Sequence, residues 1–409
     1  MRILLITQLF QPEPNHLKGI EFAKELQKNG HEVQVLTGFP NYPGGIIYNG
    51  YRLKWKMREY LEGVEVIRVL HYLSHGISSI GRIFNYCTFA FFASVIGVFS
   101  VKRPDVIHVY QGPATLMFPA FIAKIWYRSR IVLDVQDIWP ESVQSSGMFQ
   151  IPGGIWLLKI WCQWTYKVSD RIITLSEGYK SSIEKRGVIP SKVDVIYNWC
   201  DERSILKENI PLDVHRQVSL TRRFNIVFAG TMGKVQSLDA VLEAAGLILK
   251  ELPIVQFVFV GGGIEAGRLE NLALRRNLHN VVFIPRQPAS EISKILSSAD
   301  ALLIHLRDDE LGRIGIPQKT QSSLAIGKPI IMAVTGEAAR LVKEANSGII
   351  CIPEKAESIA EAVREMLSMS PNKRKTLGEN GKRFYEENLS FRIGFEKIIN
   401  IYKGVLVGK

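Results

Sequence analysis

At 409 residues the chain is too long for one ordinary core, and two domains of roughly 200 residues each are the natural expectation. Hydrophobic residues make up 46% and charged residues 22%, which supports two buried cores and excludes a long disordered tail. A formal charge of +12 favours nucleotide phosphates or an acidic membrane surface as partners, but no basic helix or aromatic ribbon points to nucleic acid.

Cys87, Cys162, Cys200 and Cys351 lie far apart with no CxxC spacing, so neither a disulfide framework nor a zinc site is expected, and a reducing cytoplasm fits best. MRILLITQLF is soon followed by Pro12 and Glu13 and reads as a first buried strand rather than a signal peptide. A Pro-rich loop, Gln11 to Asn15, then leads to a helical pattern through Phe22, Ala23 and Leu26 that stops at Gly30. His31 to Thr37 is the next strand, completing one βαβ unit.

Strand-like runs recur at Val64 to Leu70, Asp105 to Val109, Ile131 to Val135, Arg171 to Leu175 and Val193 to Tyr197, with helical stretches between most of them. This alternation predicts a parallel sheet covered on both faces. Ligands of such sheets bind beyond the carboxyl ends of the strands, which selects Gln8 to His16, Thr37 to Gly45, Gln111 to Thr115 and Gln136 to Glu141.

Three stretches carry a surface question. Tyr51 to Arg58 (YRLKWKMR) and Lys124 to Arg130 (KIWYRSR) fit either a solvated helix face with inward aromatics or attachment to anionic lipid. Cys87 to Val101 (CTFAFFASVIGVFSV) has no charge but falls short of the roughly 20 residues needed to span a bilayer. It fits a helix buried against the sheet, or one lying on a membrane with Arg82, Lys102 and Arg103 at its ends and Trp156, Trp161 and Trp164 elsewhere in the domain.

A more polar span from Asn198 to Arg223, with Pro211 inside it, marks the domain junction. The alternation restarts at Asn225, with further strands at Ile254 to Val260, Val281 to Ile284, Ala301 to His305, Pro329 to Ala333 and Gly348 to Ile352. The expected division is 1–198, a linker 199–223, a second domain 224–388, and a helix in 389–409 bracing the two.

The chemistry gathers around Asn225 to Ala240 (NIVFAGTMGKVQSLDA). It reads as a strand, a turn bracketed by Gly230 and Gly233, and a helix opening at Ser237 or Leu238. Free amides at a helix start hold phosphate, glycine lets the backbone approach, and Lys234 adds a charge. Val258 to Gly263 (VFVGGG) brings a second glycine run to the same sheet edge. Lys319 stands near a helix start, against the dipole, where a bound diphosphate would explain it. Asp308, Asp309 and Glu310 contain no D-x-D pair and read as solvated acids, so no metal is expected. In LDVQDIWPES (Leu133 to Ser142), Asp137 and Glu141 either cap the following helix or, as favoured for Asp137, accept from a sugar or acceptor hydroxyl.

GHEVQVLTGFPNYPGG (Gly30 to Gly45), LDVQDIWPES, FAGTMGKVQSLDAVLEAA (Phe228 to Ala245), VFVGGG and AIGKPII (Ala325 to Ile331) together resemble the retaining glycosyltransferases of family 4. More narrowly they are similar to the L-fucosamine transferases of bacterial O-antigen and capsule assembly. The resemblance implies an α/β GT-B fold, two Rossmann-like doubly wound domains facing across a cleft, the first binding acceptor and the second a UDP-sugar. It also implies metal-independent hexosyl transfer, with no cofactor, to a polyprenyl-diphosphate-linked saccharide on the inner face of the cytoplasmic membrane.

Residue by residue, the resemblance assigns catalysis to Asp137, Lys234 and Lys319. Donor binding falls to Gly230, Thr231, Met232, Gly233, Gln236, Gly262, Ile284, Arg286, Pro317, Gln318 and Ser322, and acceptor binding to Asn15, His16, Asn41, Tyr42, Gln136 and Glu141. Thr231 and Gln236 stand where many relatives have Arg and Lys, Ile314 and Ser322 where they have two glutamates, and Gln136 where they have His. In the family's proposed route the leaving diphosphate takes the acceptor's proton, so the enzyme mainly stabilises developing negative charge. A UDP-sugar epimerase of the same fold and a non-catalytic nucleotide-sugar binder are the alternatives.

Overall fold

The computed structural model describes residues 1–74, 79–145, 153–205 and 224–407. Its contacts divide the chain into two units, Met1–Ile196 with Phe395–Lys409, and Tyr197–Gly394. Residues 206–223 of the expected linker lie outside the described residues, while Trp199 and Cys200 just before them are buried. The C-terminal helix Phe391–Val407 spans the division, and its residues from Phe395 onward belong to the first unit.

The first unit is built on an eight-stranded sheet of β1 (Arg2–Ile6), β2 (Glu32–Gly38), β3 (Lys56–Leu61), β4 (Val64–Val69), β5 (Val106–Gln111), β6 (Arg130–Val135), β7 (Arg171–Thr174) and β8 (Val193–Val195). The order is β3-β4-β2-β1-β5-β6-β7-β8, parallel except for β3. Its central strands are buried on both faces, which is why they read as continuous apolar runs. The strand order reverses between β1 and β5, so the carboxyl ends of these strands form a natural ligand crevice.

Sequence reasoning misread one element here. Lys56–Leu61, which begins inside the basic–aromatic run Tyr51 to Arg58, is an antiparallel edge strand and not a helix face. Glu62 and Gly63, with φ of +48° and +86°, make the two-residue turn to β4. Along KMREYL exposed and half-buried residues alternate, as the period of a strand requires.

The uncharged run from Cys87 lies in a helix, Ser79–Phe92, that continues through further helical turns to Ser100. Asn85, Phe89, Ala93, Gly97 and Val98 are buried, while Ile80, Phe84, Cys87, Phe91, Val95 and Phe99 are exposed at helical spacing. The outward stripe is thus apolar, the reverse of an ordinary surface helix. Phe99 meets Trp126 of the helix Met117–Tyr127 edge-on at 5.1 Å, and Phe118 of that helix stacks on Trp161 of Gly154–Val168 at 4.1 Å. These helices expose further apolar side chains, Ile125 and Trp126 on the second and Trp156 and Leu157 on the third.

The second unit holds a six-stranded, all-parallel sheet of β9 (Phe224–Thr231), β10 (Val255–Gly262), β11 (Val281–Ile284), β12 (Ala301–His305), β13 (Ile330–Ala333) and β14 (Gly348–Ile350). The order β11-β10-β9-β12-β13-β14 is doubly wound and reverses between β9 and β12.

Candidate functional site

At the reversal in the second sheet, β9 runs two residues further than the sequence suggests. Gly230 and Thr231 belong to the strand and pair in register with Gly261 and Gly262. The helix after it begins only at Asp239, behind a tight turn, Lys234–Gln236. The helix start is therefore displaced from the glycines, and the ligand surface there is strand-end backbone.

That surface is closely packed. Gly230, Gly261 and Gly263 have φ of +135°, +139° and +148°, a region that L side chains rarely adopt. A Cβ on Gly261 would lie 2.1 Å from the Gly230 carbonyl oxygen, and one on Gly263 would lie 2.4 Å from the Met232 carbonyl oxygen. A cavity of about 420 Å³ opens beside them, within the range of small-molecule sites. Val227, Val260, Ile292, Leu296 and Leu302 make its apolar part, and Arg286 and Lys319 are its cations among the described residues.

Lys319 is in the first turn of the helix Gln318–Ile326. Its Nζ is buried, has no hydrogen-bond partner among the described residues, and sits 3.9 Å from the centre of the Phe228 ring. The whole residue is only half-buried, because its stem lines the cavity wall. Burial lowers its pKa to about 7. A cation so placed is poised to gain charge when an anion enters.

The expected donor residues thus separate into two groups. Gly230, Thr231, Gly262, Arg286, Gln318, Lys319 and Ser322 line the cavity. Met232 does not, since its side chain is in the core and its N–H donates to the Gly262 carbonyl at 2.8 Å. Gly233, Lys234 and Gln236 form the turn beyond it, with Lys234 exposed. Ile284 ends β11, and Pro317 caps the lysine helix.

In the first unit the expected acceptor residues sit in loops at the carboxyl edge of the sheet. Buried Glu13 accepts from the N–H groups of Asn41 and Tyr42 at 2.7 and 2.8 Å, tying the loop after β1 to the loop after β2. Asn15 donates to the Leu9 carbonyl and accepts from the Lys18 N–H, so it shapes its own loop, while His16 is exposed. Gln136 donates to Asp134, and Asp137 keeps an exposed side chain whose pKa is raised by the protein packed around it. Glu141 is already engaged by Arg186 at 2.7 Å, an ion pair that fixes the turn beside Trp139.

Sequence reasoning missed the buried cluster beneath this edge. Asp134 lies 3.2 Å from Lys18 Nζ and 3.3 Å from His108 Nε2, and Tyr402 of the C-terminal helix meets His108 Nδ1 at 2.9 Å. Burial pushes the Asp134 carboxyl up, but Lys18 and His108 outweigh it and hold the pKa at about 2. Gln111, at the strand reversal, is buried with neither side-chain end hydrogen-bonded among the described residues. Gln111 opens the candidate stretch Gln111 to Thr115, but its unpaired burial was not legible.

Residues 21–199 match the glycosyl transferase 4-like domain, and residues 213–384 match glycosyl transferases group 1. The chain is 24% identical over 331 residues to a Pseudomonas aeruginosa protein named "Probable glycosyltransferase WbjE", covering 80% of this chain and 79% of that one. It is also 24% identical over 393 residues to WcaI of Escherichia coli K12, named for a colanic acid biosynthesis glycosyl transferase, covering 90% and 92%. Among solved structures, Anabaena Alr3699/HepE in complex with UDP superposes with a TM-score of 0.71 at 15% identity, covering 99% and 100%. WaaG, a glycosyltransferase involved in lipopolysaccharide biosynthesis, gives 0.67 at 15%, covering 98% and 100%. With both domains matched in order on two doubly wound sheets, the chain is a GT-B glycosyltransferase with a glycosyl transferase 4-like domain followed by a group 1 domain.

Proposed function

We propose that the protein transfers an N-acetylated deoxyhexosamine from a UDP-sugar to a polyprenyl-diphosphate-linked saccharide, with retention and without a metal, during O-antigen or capsule assembly. The observation that carries the donor side is Lys319 Nζ, a buried amine with no hydrogen-bond acceptor among the described residues, beside glycine backbone at a sheet reversal. Diphosphate supplies the missing acceptor, and charge developing on it as the glycosidic bond breaks is met by Lys319, with Arg286 on the same cavity wall and Lys234 on the adjoining turn. Asp137 orients the sugar or acceptor, within electrostatic reach of Tyr86, Tyr110 and Tyr179.

The acceptor side rests on the exposed aromatic face of the first unit. Lys102 and Arg103 follow it directly, Lys159 lies between Trp156 and Ile160, and a Trp55–Phe92 contact brings Arg52, Lys54 and Lys56 alongside. Apolar rings rimmed by exposed cations suit the interface of an anionic membrane, which supports a peripheral position on the inner leaflet.

The test is a thermal-shift screen against UDP, GDP, ADP and a panel of UDP-N-acetylhexosamines, with flotation of the same protein on anionic and neutral vesicles. A selective shift with UDP and one sugar class, together with flotation on anionic vesicles, is expected. Release of free sugar from the donor without an acceptor would favour the epimerase. No shift with any nucleotide would sink the transferase reading.

A further inference from the structure

His305 ends β12 fully buried, next to β9 in the sheet, and both of its ring nitrogens are used. Nδ1 faces the Gln236 carbonyl oxygen at 2.7 Å, and Nε2 receives the N–H of Glu354 at 3.0 Å. A carbonyl can only accept and an amide N–H can only donate, so the partners fix the ring as the neutral imidazole with its hydrogen on Nδ1. Protonation of Nε2 would set one N–H against another.

The two partners carry the connection further. The Glu354 carboxylate accepts from the Ser237 hydroxyl at 2.7 Å and from the Asp308 N–H at 3.0 Å. Gln236 turns back to accept the Gly233 N–H on its side chain, also at 3.0 Å, and Arg307 N–H donates to the Val235 carbonyl at 2.8 Å. Ser237 and Glu354 are both held at positive φ, +46° and +58°, which costs backbone energy that these bonds offset. The bonds from His305, the Ser237 hydroxyl and Arg307 N–H all end on the short turn that carries Lys234, between the cavity glycines and the helix Asp239–Glu251, while the Glu354 and Asp308 N–H groups tie His305 and Glu354 together behind it.

We infer that His305, in its Nδ1–H form and together with Glu354, is a positioning residue that latches the Gly233–Ser237 turn so that the strand end Gly230–Thr231 and Lys234 stay preformed for a nucleoside diphosphate. It does not touch the ligand, since it is buried behind the turn. The inference rests on the proposed donor site.

The experiment compares UDP affinity and donor kinetics of the full chain with those of His305→Asn, His305→Gln and Glu354→Ala. Asparagine can place its amide N–H where Nδ1 stood and keep the Gln236 bond. Glutamine presents its oxygen nearer the Nε2 position, keeps the Glu354 N–H bond and releases the turn. His305→Gln is expected to weaken UDP binding about tenfold, the worth of a buried hydrogen bond, and to raise KM with kcat little changed. His305→Asn should restore most of the affinity. Glu354 is exposed, so Glu354→Ala folds, and a several-fold loss of affinity is expected from it.

The ¹⁵N shifts of His305 in the wild-type protein should report a neutral ring protonated at Nδ1. Equal UDP affinity for all four folded proteins, or an Nε2–H signature, would overturn the latch while leaving the donor site standing. No UDP binding by the wild type would instead remove the donor site itself.

Discussion

The carboxyl edge of the six-stranded sheet is lined by glycines and cations, whereas that of the eight-stranded sheet is filled, Gln111 apart, by carboxylates and amides tied to one another. Both sheets place their loops by the same doubly wound logic, and both reverse strand order beside their first strand. The second leaves an amine without a hydrogen-bond acceptor, the condition of a surface that awaits an anion. The first buries Glu13 and Asp134 against backbone amides and against Lys18 and His108, so its charges are largely spent on holding loops. Architecture fixes where a ligand can bind; the residual, unspent polarity at that edge decides what kind of ligand it is.

The comparison breaks most completely at Gly261. An added methyl would meet the Gly230 carbonyl oxygen, a backbone atom in a strand that has no room to retreat, and would also strain a φ of +139°. Gly261→Ala should cost about 2 to 5 kcal/mol of stability and abolish UDP binding, read by calorimetry and titration. Gly262→Ala, whose Cβ would meet nothing within 4 Å, is the matched control with little loss of stability.

Lys319→Ala is the next largest effect and sharpens the comparison. It should cost about 2 to 4 kcal/mol in transition-state stabilisation, read as kcat/KM, without loss of stability near neutral pH, because it removes an amine whose burial opposes its charge. The proton count gives a second readout. With a folded pKa of about 7 against the ordinary 10.5, the unfolded chain binds more protons at Lys319 between those values, so stability rises with pH across that window. A diphosphate entering at pH 8 draws a proton onto the amine, so UDP binding should depend on the ionisation heat of the buffer. Lys319→Ala should remove that dependence.

The parallel strands were legible because strands buried on both faces leave unbroken apolar runs, and the glycine-rich edge was legible because glycine marks close backbone approach. Beyond that, local patterns lose their hold. β3 (KMREYL) does not alternate charged and apolar residues and looked like a basic helix face; only its pairing with β4 through the turn at Glu62–Gly63 shows the strand. Met232 looked like a ligand contact, but the two extra residues of β9 carry its side chain into the core. His305 read as the end of a strand, because its partners lie 69 and 49 residues away. Lys319 was visible through its conflict with the helix dipole, a local signal; the neutral latch and the Asp134 cluster are satisfied only in three dimensions.

The smallest expected effect tests the claim that the first unit's polar groups are structural. Tyr402 lies on the C-terminal helix, which also packs Phe395 against Phe22 at 5.8 Å, so this part of the helix is anchored by rings and by a polar contact to His108. Tyr402→Phe keeps the ring and its packing and deletes only the hydroxyl. His108 Nδ1 then loses that contact in a fully buried place, with the Asp134 carboxylate near its other nitrogen. A loss of about 1 to 2 kcal/mol follows, confined to the unfolding of the first unit, with UDP affinity unchanged. Were UDP affinity to fall with this substitution, the buried cluster would be coupled to donor binding, and the division between spent and unspent polarity would have to be redrawn.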